Sequence, residues 1–324
     1  MRAVVAESFG GPEVLHLAQV PVPPLRPGEV LVRVAASGVN RADLLQREGR
    51  YPPPRGASEI LGLEVSGVID TVGEEVADWQ PGDACVALLT GGGYAEYVAV
   101  PAGQVIRPPA GVDLVTASGL IEVAATVTSN LSLVGLSAGE TFLAHGGTGG
   151  IGTFAIQYAV ASGARVFATA GSRHKRALCR ELGATDAFDY HHDWVAALRR
   201  ATDRHGADVI LDVMGAKYLP PNVDALAADG RLVVIGLQGG RTGTLDLGKL
   251  LAKRASVTAT GLRGRPAAQK AAICAEVART VWPLVESGRI KPATETRFPA
   301  EDAAAAHRHL ASGDAVGKLI LTWR

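Results

Sequence analysis

The sequence predicts an α/β protein: a doubly wound parallel-sheet domain in the second half of the chain, joined to a β-rich domain. Three observations carry this expectation. Residues 28–108 break into short apolar strands divided by glycine and proline. From Thr141 the rhythm changes to strand, glycine turn, helix. At the first of those turns stands a Gly-x-Gly-x-x-Gly. The length of 324 residues allows two cores at about 150 residues each. A chain near 300 residues can bury about 75% of its unfolded surface, so disulfides and metals are not needed for stability.

In chain order, the prolines at 21, 23, 24 and 27 read as an extended connection between strands. Strands are expected over Glu29 to Val34, Leu63 to Val72, Ala84 to Leu88 and Tyr94 to Val100. The second half gives strands at Thr141 to His145, Arg165 to Thr169, Ala207 to Met214 and Arg231 to Gly236, with helices over Gly150 to Ser162 and Lys175 to Leu182. Apolar runs such as Val209-Ile210-Leu211 and Leu232-Val233-Val234-Ile235 suit strands covered on both faces. The tail returns to helices at Pro266 to Ser287 and Glu301 to Ala311, and to a strand at Gly317 to Trp323 that could close the first domain's sheet. The expected division is a substrate domain at 1–119, a dinucleotide domain at 120–260 and a return segment at 261–324.

Thirty-two basic residues balance 32 acidic ones, so no global field recruits nucleic acid or an anionic membrane. Cys85, Cys179 and Cys274 are isolated, which excludes a Cys-x-x-Cys motif and fits a reducing, cytoplasmic setting. The opening Met1-Arg2-Ala3-Val4-Val5-Ala6-Glu7 lacks the apolar core of a signal peptide, and no uninterrupted apolar run reaches membrane-spanning length.

The glycine motif is Gly147, Gly149 and Gly152, lying between the strand Thr141-Phe142-Leu143-Ala144 and a helix. There, missing side chains let backbone approach a pyrophosphate at the helix's positive end. A tight turn without a ligand is the competing reading, and His145 is expected to be a packing or polar neighbour of the turn rather than a catalyst. Sites specific for NAD place an acid at the end of the second strand. This chain has Ala168-Thr169-Ala170-Gly171-Ser172 there, followed by Arg173, Lys175 and Arg176. Small residues leave room for a 2′-phosphate and basic ones can bind it, which predicts NADPH. Part of the basic group, Arg173 and Arg176 more than Lys175, could instead be a solvated helix face.

Gly38-Val39-Asn40-Arg41-Ala42-Asp43-Leu44-Leu45-Gln46-Arg47, Tyr51-Pro52-Pro53-Pro54 and Leu61-Gly62-Leu63-Glu64-Val65-Ser66-Gly67 resemble the zinc-independent quinone oxidoreductases of the medium-chain dehydrogenase/reductase superfamily. The match continues through Pro81-Gly82-Asp83, Gly91-Gly92-Gly93-Tyr94-Ala95-Glu96-Tyr97, the glycine turn, Ala170-Gly171-Ser172 and Gly236-Leu237-Gln238-Gly239-Gly240. The Asn-Arg-Ala-Asp and Tyr-Pro-Pro-Pro segments are most similar to the stress-inducible type. In zinc-dependent relatives a cysteine ligand stands at Asn40 and a Gly-His-Glu at Gly62-Leu63-Glu64, and the four-cysteine lobe expected near 85–105 is reduced to Cys85. No metal site is therefore expected.

The resemblance implies a GroES-like β-rich substrate domain, a Rossmann domain and an active cleft between them. It carries cofactor contacts onto Thr126, Gly147, Gly149, Gly150, Ile151, Gly152, Ser172, Lys175, Tyr190, Gly236 and Leu237. Tyr190 would approach the adenine ribose or its phosphate, and Thr126 and Gly236 the nicotinamide end. Asn40, Tyr51 and Arg263 would surround the acceptor as catalytic residues. Alternatives stay open for each: Asn40 as a turn cap, Tyr51 as packing over the prolines, Arg263 as a surface ion-pair partner, Tyr190 as a surface aromatic beside His191 and His192. The segment Ile121 to Thr128 carries smaller side chains than relatives do, and Phe154 is bulkier than the expected alanine.

Without zinc to polarise a carbonyl, the acceptor must already be activated. A quinone fits, since conjugation spreads the incoming charge and the protein needs only donors for the developing oxyanion. The expected activity is NADPH-dependent quinone reduction. The alternatives are reduction of enone or enal double bonds and, from another class, a non-catalytic NADPH-binding redox sensor or RNA-binding protein. Ser256-Val257-Thr258-Ala259-Thr260 could pair across a homodimer edge or serve as an internal edge strand.

Overall fold

The computed structural model describes residues 1–323. The chain divides into two compact units, Met1–Ala125 with Leu262–Gly288 and Pro292–Arg324, and Thr126–Gly261 with Arg289–Lys291. The division after Ala125, where the sequence suggests residue 119, follows from the helix Ile121–Leu133, which runs through the junction. Sequence patterns give no hint that Arg289–Lys291 belongs to the second unit. Gln157 ties it there, its amide donating to the Lys291 carbonyl at 3.0 Å and accepting the Lys291 N–H at 2.8 Å.

The first unit is built on a seven-stranded sheet. Its order is Glu295–Pro299, Lys318–Thr322, Glu29–Val39, Glu64–Val72, Ala84–Leu88 and Val105–Ile106, with Tyr97–Pro101 also paired to Glu29–Val39. Alternation along Glu29–Val39 puts Val30, Val32 and Val34 into one core with Val65, Ile69, Val98 and Val100. The strand continues past Val34 to Val39 because the terminal strand Lys318–Thr322 pairs antiparallel with that stretch, Leu319 opposite Val39 and Thr322 opposite Ala36. The tail does close the first sheet. The long helix expected from Pro266 forms as Ala267–Glu276 and Trp282–Glu286, joined by a π-helical turn at Val277–Val281.

The second unit holds six parallel strands in the order Asp186–Asp189, Arg165–Ala170, Thr141–Ala144, Ala207–Asp212, Leu226–Val234 and Ser256–Ala259. Numbered within the unit this is 3-2-1-4-5-6, the Rossmann arrangement, whose strand order reverses between Thr141–Ala144 and Ala207–Asp212. Phe142, Leu143, Phe167, Ile210 and Leu232 are fully buried, as a sheet covered on both faces requires. The stretch Leu114–Leu133 is long and apolar enough to span a membrane, with mean hydropathy 1.3, but 72% of that window is buried inside the protein, which makes it a core element.

Candidate functional site

The glycine turn follows Thr141–Ala144 at the reversal point of the sheet. Its three motif glycines do different things. A Cβ on Gly152 would lie 2.2 Å from the Gly146 carbonyl oxygen, so this glycine lets the helix start against the turn. One on Gly147 would lie 2.6 Å from Cys179 Sγ and 2.8 Å from Ala168 Cβ, under the turn. Gly149 meets nothing closer than 3.6 Å, which leaves its face open. It also caps the helix Gly150–Ala161 without any side-chain hydrogen bond, so among the described residues no side chain caps the N–H groups of Gly150 and Ile151. An open glycine face in front of uncapped amides fits a pyrophosphate.

At the next strand end, Ser172 caps the helix Arg173–Glu181, its Oγ accepting from the Lys175 N–H at 3.2 Å. Tyr190 is 43% exposed and packs on His191 with ring centroids 4.5 Å apart, as a surface aromatic would. It also lies across Gly171, where a Cβ would sit 2.2 Å from the tyrosine hydroxyl. Gly171, Ser172, Lys175 and Tyr190 thus form one surface. Arg176 pairs with Asp189, which takes it out of the basic group available to a phosphate.

Gly236 touches the loop after Ala207–Asp212, where a Cβ would meet the Val213 carbonyl oxygen at 2.7 Å. The two loops are stitched together, Gly239 N–H donating to the Met214 carbonyl at 2.7 Å and Ala216 N–H to the Gly240 carbonyl at 3.1 Å. This leaves Leu237 45% exposed at the rim. Asp212 holds the turn below it by accepting the N–H groups of Met214 and Gly215 at 2.6 and 3.0 Å, and burial raises its carboxyl to about 6 against those hydrogen bonds. Thr126 is buried on the helix Ile121–Leu133. His145 is both a packing and a polar neighbour of the turn: it bonds Thr169 Oγ1 at 3.0 Å and Asn222 Oδ1 at 2.7 Å, meets Trp194 and Tyr218 edge-on, and burial lowers it to about 4.

In the first unit, Tyr51 and Arg263 meet. The Arg263 Cζ lies 5.3 Å from the Tyr51 ring centroid. Only 5% exposed, Arg263 donates to the Thr90 carbonyl at 2.7 Å and to Gln46 Oε1 at 2.7 Å. It makes no ion pair with any described residue, so it is not a surface ion-pair partner. Burial raises the Tyr51 phenol above its ordinary value while Arg263 opposes the rise, so the hydroxyl stays protonated at neutral pH.

Asn40 begins the helix Arg41–Arg47 and does act as a turn residue, its N–H donating to Asp43 Oδ2 at 2.7 Å. Its amide is more constrained than the sequence suggests: Nδ2 donates to Glu64 Oε1 at 2.9 Å, and Oδ1 accepts from Lys318 Nζ at 2.8 Å. One amide hydrogen is left for an acceptor. Sequence reasoning missed Lys318, Gln46 and Thr90. The only signal was a lone cation heading the apolar strand Lys318-Leu319-Ile320-Leu321.

These positions do not fit a zinc ion. Lys318 Nζ stands 2.5 Å from Glu64 Oε1. Among the described residues no three of His, Cys, Asp and Glu gather as a metal-binding group.

Comparison with known proteins agrees with both units. Residues 26–110 match the alcohol dehydrogenase GroES-like domain, and residues 150–276 match the zinc-binding dehydrogenase family. A quinone oxidoreductase of Pseudomonas aeruginosa is 33% identical over 97% of this chain and 97% of its own. A mycocerosic acid synthase-like polyketide synthase of Mycobacterium tuberculosis is 33% identical over 96% of this chain, which spans only 15% of that protein. A mycobacterial protein solved with NADPH superposes with a TM-score of 0.90 at 29% identity, covering 100% of both chains. An NAD-dependent alcohol dehydrogenase gives 0.88 at 31%, again covering 100% of both. The JamJ enoyl reductase gives 0.89 at 25%, covering 99% of this chain and 98% of its own. With these matches over its whole length, the chain belongs to the quinone oxidoreductase family of the medium-chain dehydrogenases/reductases, the NAD(P)H-dependent oxidoreductases with a GroES-like and a Rossmann domain.

Proposed function

We propose that this protein uses NADPH to reduce conjugated acceptors, quinones foremost, without a metal ion. The observation that carries the reading is the Tyr51 and Arg263 pair: a protonated hydroxyl beside a buried guanidinium, donors suited to negative charge developing on an acceptor oxygen. Asn40 adds its remaining amide hydrogen. On the nucleotide side, Gly147, Gly149, Gly150, Ile151 and Gly152 would hold the pyrophosphate. Ser172, Lys175 and Tyr190 would hold the ribose with its 2′-phosphate, and Thr126, Gly236 and Leu237 the nicotinamide end. NADPH supplies the hydride when bound. The chain's own residues position the acceptor, donate to its oxygens and, through Tyr51, deliver a proton.

The absence of a carboxylate after Arg165–Ala170 favours NADPH over NADH. The test is steady-state turnover of ortho-quinones and enones with each nucleotide, before and after chelation. Brisk quinone reduction, preference for NADPH and indifference to chelation are expected. Dependence on added zinc, or no nucleotide binding, overturns the reading. A second reading, reduction of enones, is favoured by the enoyl reductase likeness and by the Tyr51 hydroxyl, which has no hydrogen-bond partner among the described residues. Enones turning over while quinones do not would select it.

The proposal extends to a cytoplasmic homodimer. Among the described residues Ser256–Ala259 is an edge strand paired only with Leu226–Val234, and the helix before it exposes Leu247 at 68% and Leu251 at 81%.

A further inference from the structure

We infer that Lys318 is a positioning residue for acceptor reduction, fixing the Asn40 amide so that it can only donate; this rests on the function proposed above. The ammonium can donate but not accept, so the Asn40 atom facing it at 2.8 Å must be the oxygen. A carboxylate can accept but not donate, so the atom facing Glu64 Oε1 at 2.9 Å must be the nitrogen. Two neighbours of opposite character thus demand the same orientation, and the one polar atom left over is an N–H hydrogen. Without Lys318 only the Glu64 carboxylate is left to hold the amide, so the side chain can swing out of the position in which its remaining hydrogen meets an acceptor oxygen gathering negative charge.

The clasp is rigid. Glu64 is fully buried, and its second oxygen accepts the Glu122 N–H at 2.9 Å. Lys318 is 5% exposed, and its Cε lies 3.3 Å from where a Cβ on Gly119 would be, so the stem runs close along that backbone. A buried ion pair returns little net stability after desolvation. What this one secures is the orientation of a third group, which neither composition nor the glycine motif reveals.

The experiment measures kcat/KM for the acceptor and Kd for NADPH in K318M, N40A and the double variant. If Lys318 acts through Asn40, K318M loses roughly tenfold to a hundredfold in kcat/KM, within the range for one oxyanion donor. The NADPH Kd stays unchanged, and the double variant loses no more than N40A alone. K318M/E64Q removes both buried charges together and provides a foldable substitute should K318M fail to fold. The Asn40 side-chain amide signals, assigned by their absence in N40A, give a readout free of activity. They should move toward those of a solvated amide when Lys318 is replaced. Turnover equal to wild type in K318M, losses that multiply in the double variant, or unmoved amide signals overturn the inference. A wild-type protein that oxidises NADPH with no quinone or enone instead defeats the proposed function, and the amide signals still decide the orientation.

Discussion

The Arg263 guanidinium lies over the Tyr51 ring, its Cζ 5.3 Å from the centroid, and also donates to the Tyr51 carbonyl at 3.4 Å. A buried cation is thereby held against the face of a protonated phenol. In the proposed reaction the pair would divide the labour, the cation drawing charge and the hydroxyl supplying the proton.

That division predicts unequal losses. Y51F should reduce enone turnover by about a hundredfold or more, because the enolate loses its positioned acid. Quinone turnover should fall less than tenfold, since its oxygens can be protonated from water. R263M should slow both by roughly a hundredfold and push the Tyr51 phenol further up, because the cation that opposes burial is gone. Product analysis and ultraviolet titration measure these effects; equal losses in both assays for Y51F would remove the proton-donor role.

Tyr190 and Gly171 make a prediction about the nucleotide. G171A would drive its Cβ into the tyrosine hydroxyl, 2.2 Å away, and displace the ring. NADPH binding should weaken about tenfold, equivalent to about 1.4 kcal/mol, and NADH binding less, by fluorescence titration. An unchanged ratio of the two dissociation constants would take Tyr190 away from the 2′-phosphate.

His145 and His307 are buried neutral, lowered by burial to about 4 and about 3. A depressed histidine contributes stability that is fully present above its unfolded value of about 6.5 and is lost as pH falls through the folded one. Asp43 and Asp212, both raised to about 6 by burial, act the other way, their contribution being lost as pH rises toward 6. The cost of H145N should therefore be largest above about pH 6.5 and shrink toward pH 4, by up to roughly 3 kcal/mol. Denaturant unfolding at a series of pH values checks this; a cost independent of pH would mean that His145 is not held neutral.

Leu247 and Leu251 stand one helical turn apart on the helix beside the sheet edge. L251E should convert a dimer to a monomer in light scattering at micromolar concentration, with NADPH affinity retained. A wild-type protein already monomeric would end the proposal.

Much of the fold was legible because it is written in local periodicity. Apolar runs alternating with helices mark the Rossmann unit, and Gly147, Gly149 and Gly152 mark its turn. Harder to read were partnerships across long separations. Lys318 reaches Glu64 across 254 positions and Arg263 reaches Gln46 across 217, and no spacing rule connects such residues. Asn40 was placed by resemblance, yet its amide turned out to be doubly engaged. Cap and candidate donor stand as alternatives in the sequence but are compatible in the structure, where the backbone N–H makes the turn contact while the side-chain amide bonds Glu64 and Lys318. The strand Glu295–Pro299 was missed because Thr296 and Arg297 break its apolar pattern while it pairs at the sheet edge.

The pairing of Lys318–Thr322 with Glu29–Val39 has a consequence for how the protein assembles during synthesis. The partner of Val39 is translated some 280 positions later, after every strand of the Rossmann sheet has emerged. The nucleotide unit can therefore mature first, while the earlier sheet waits with an unzipped border that invites misassembly. Acceptor chemistry would switch on last, when the returning segment zips that border shut and delivers its ammonium.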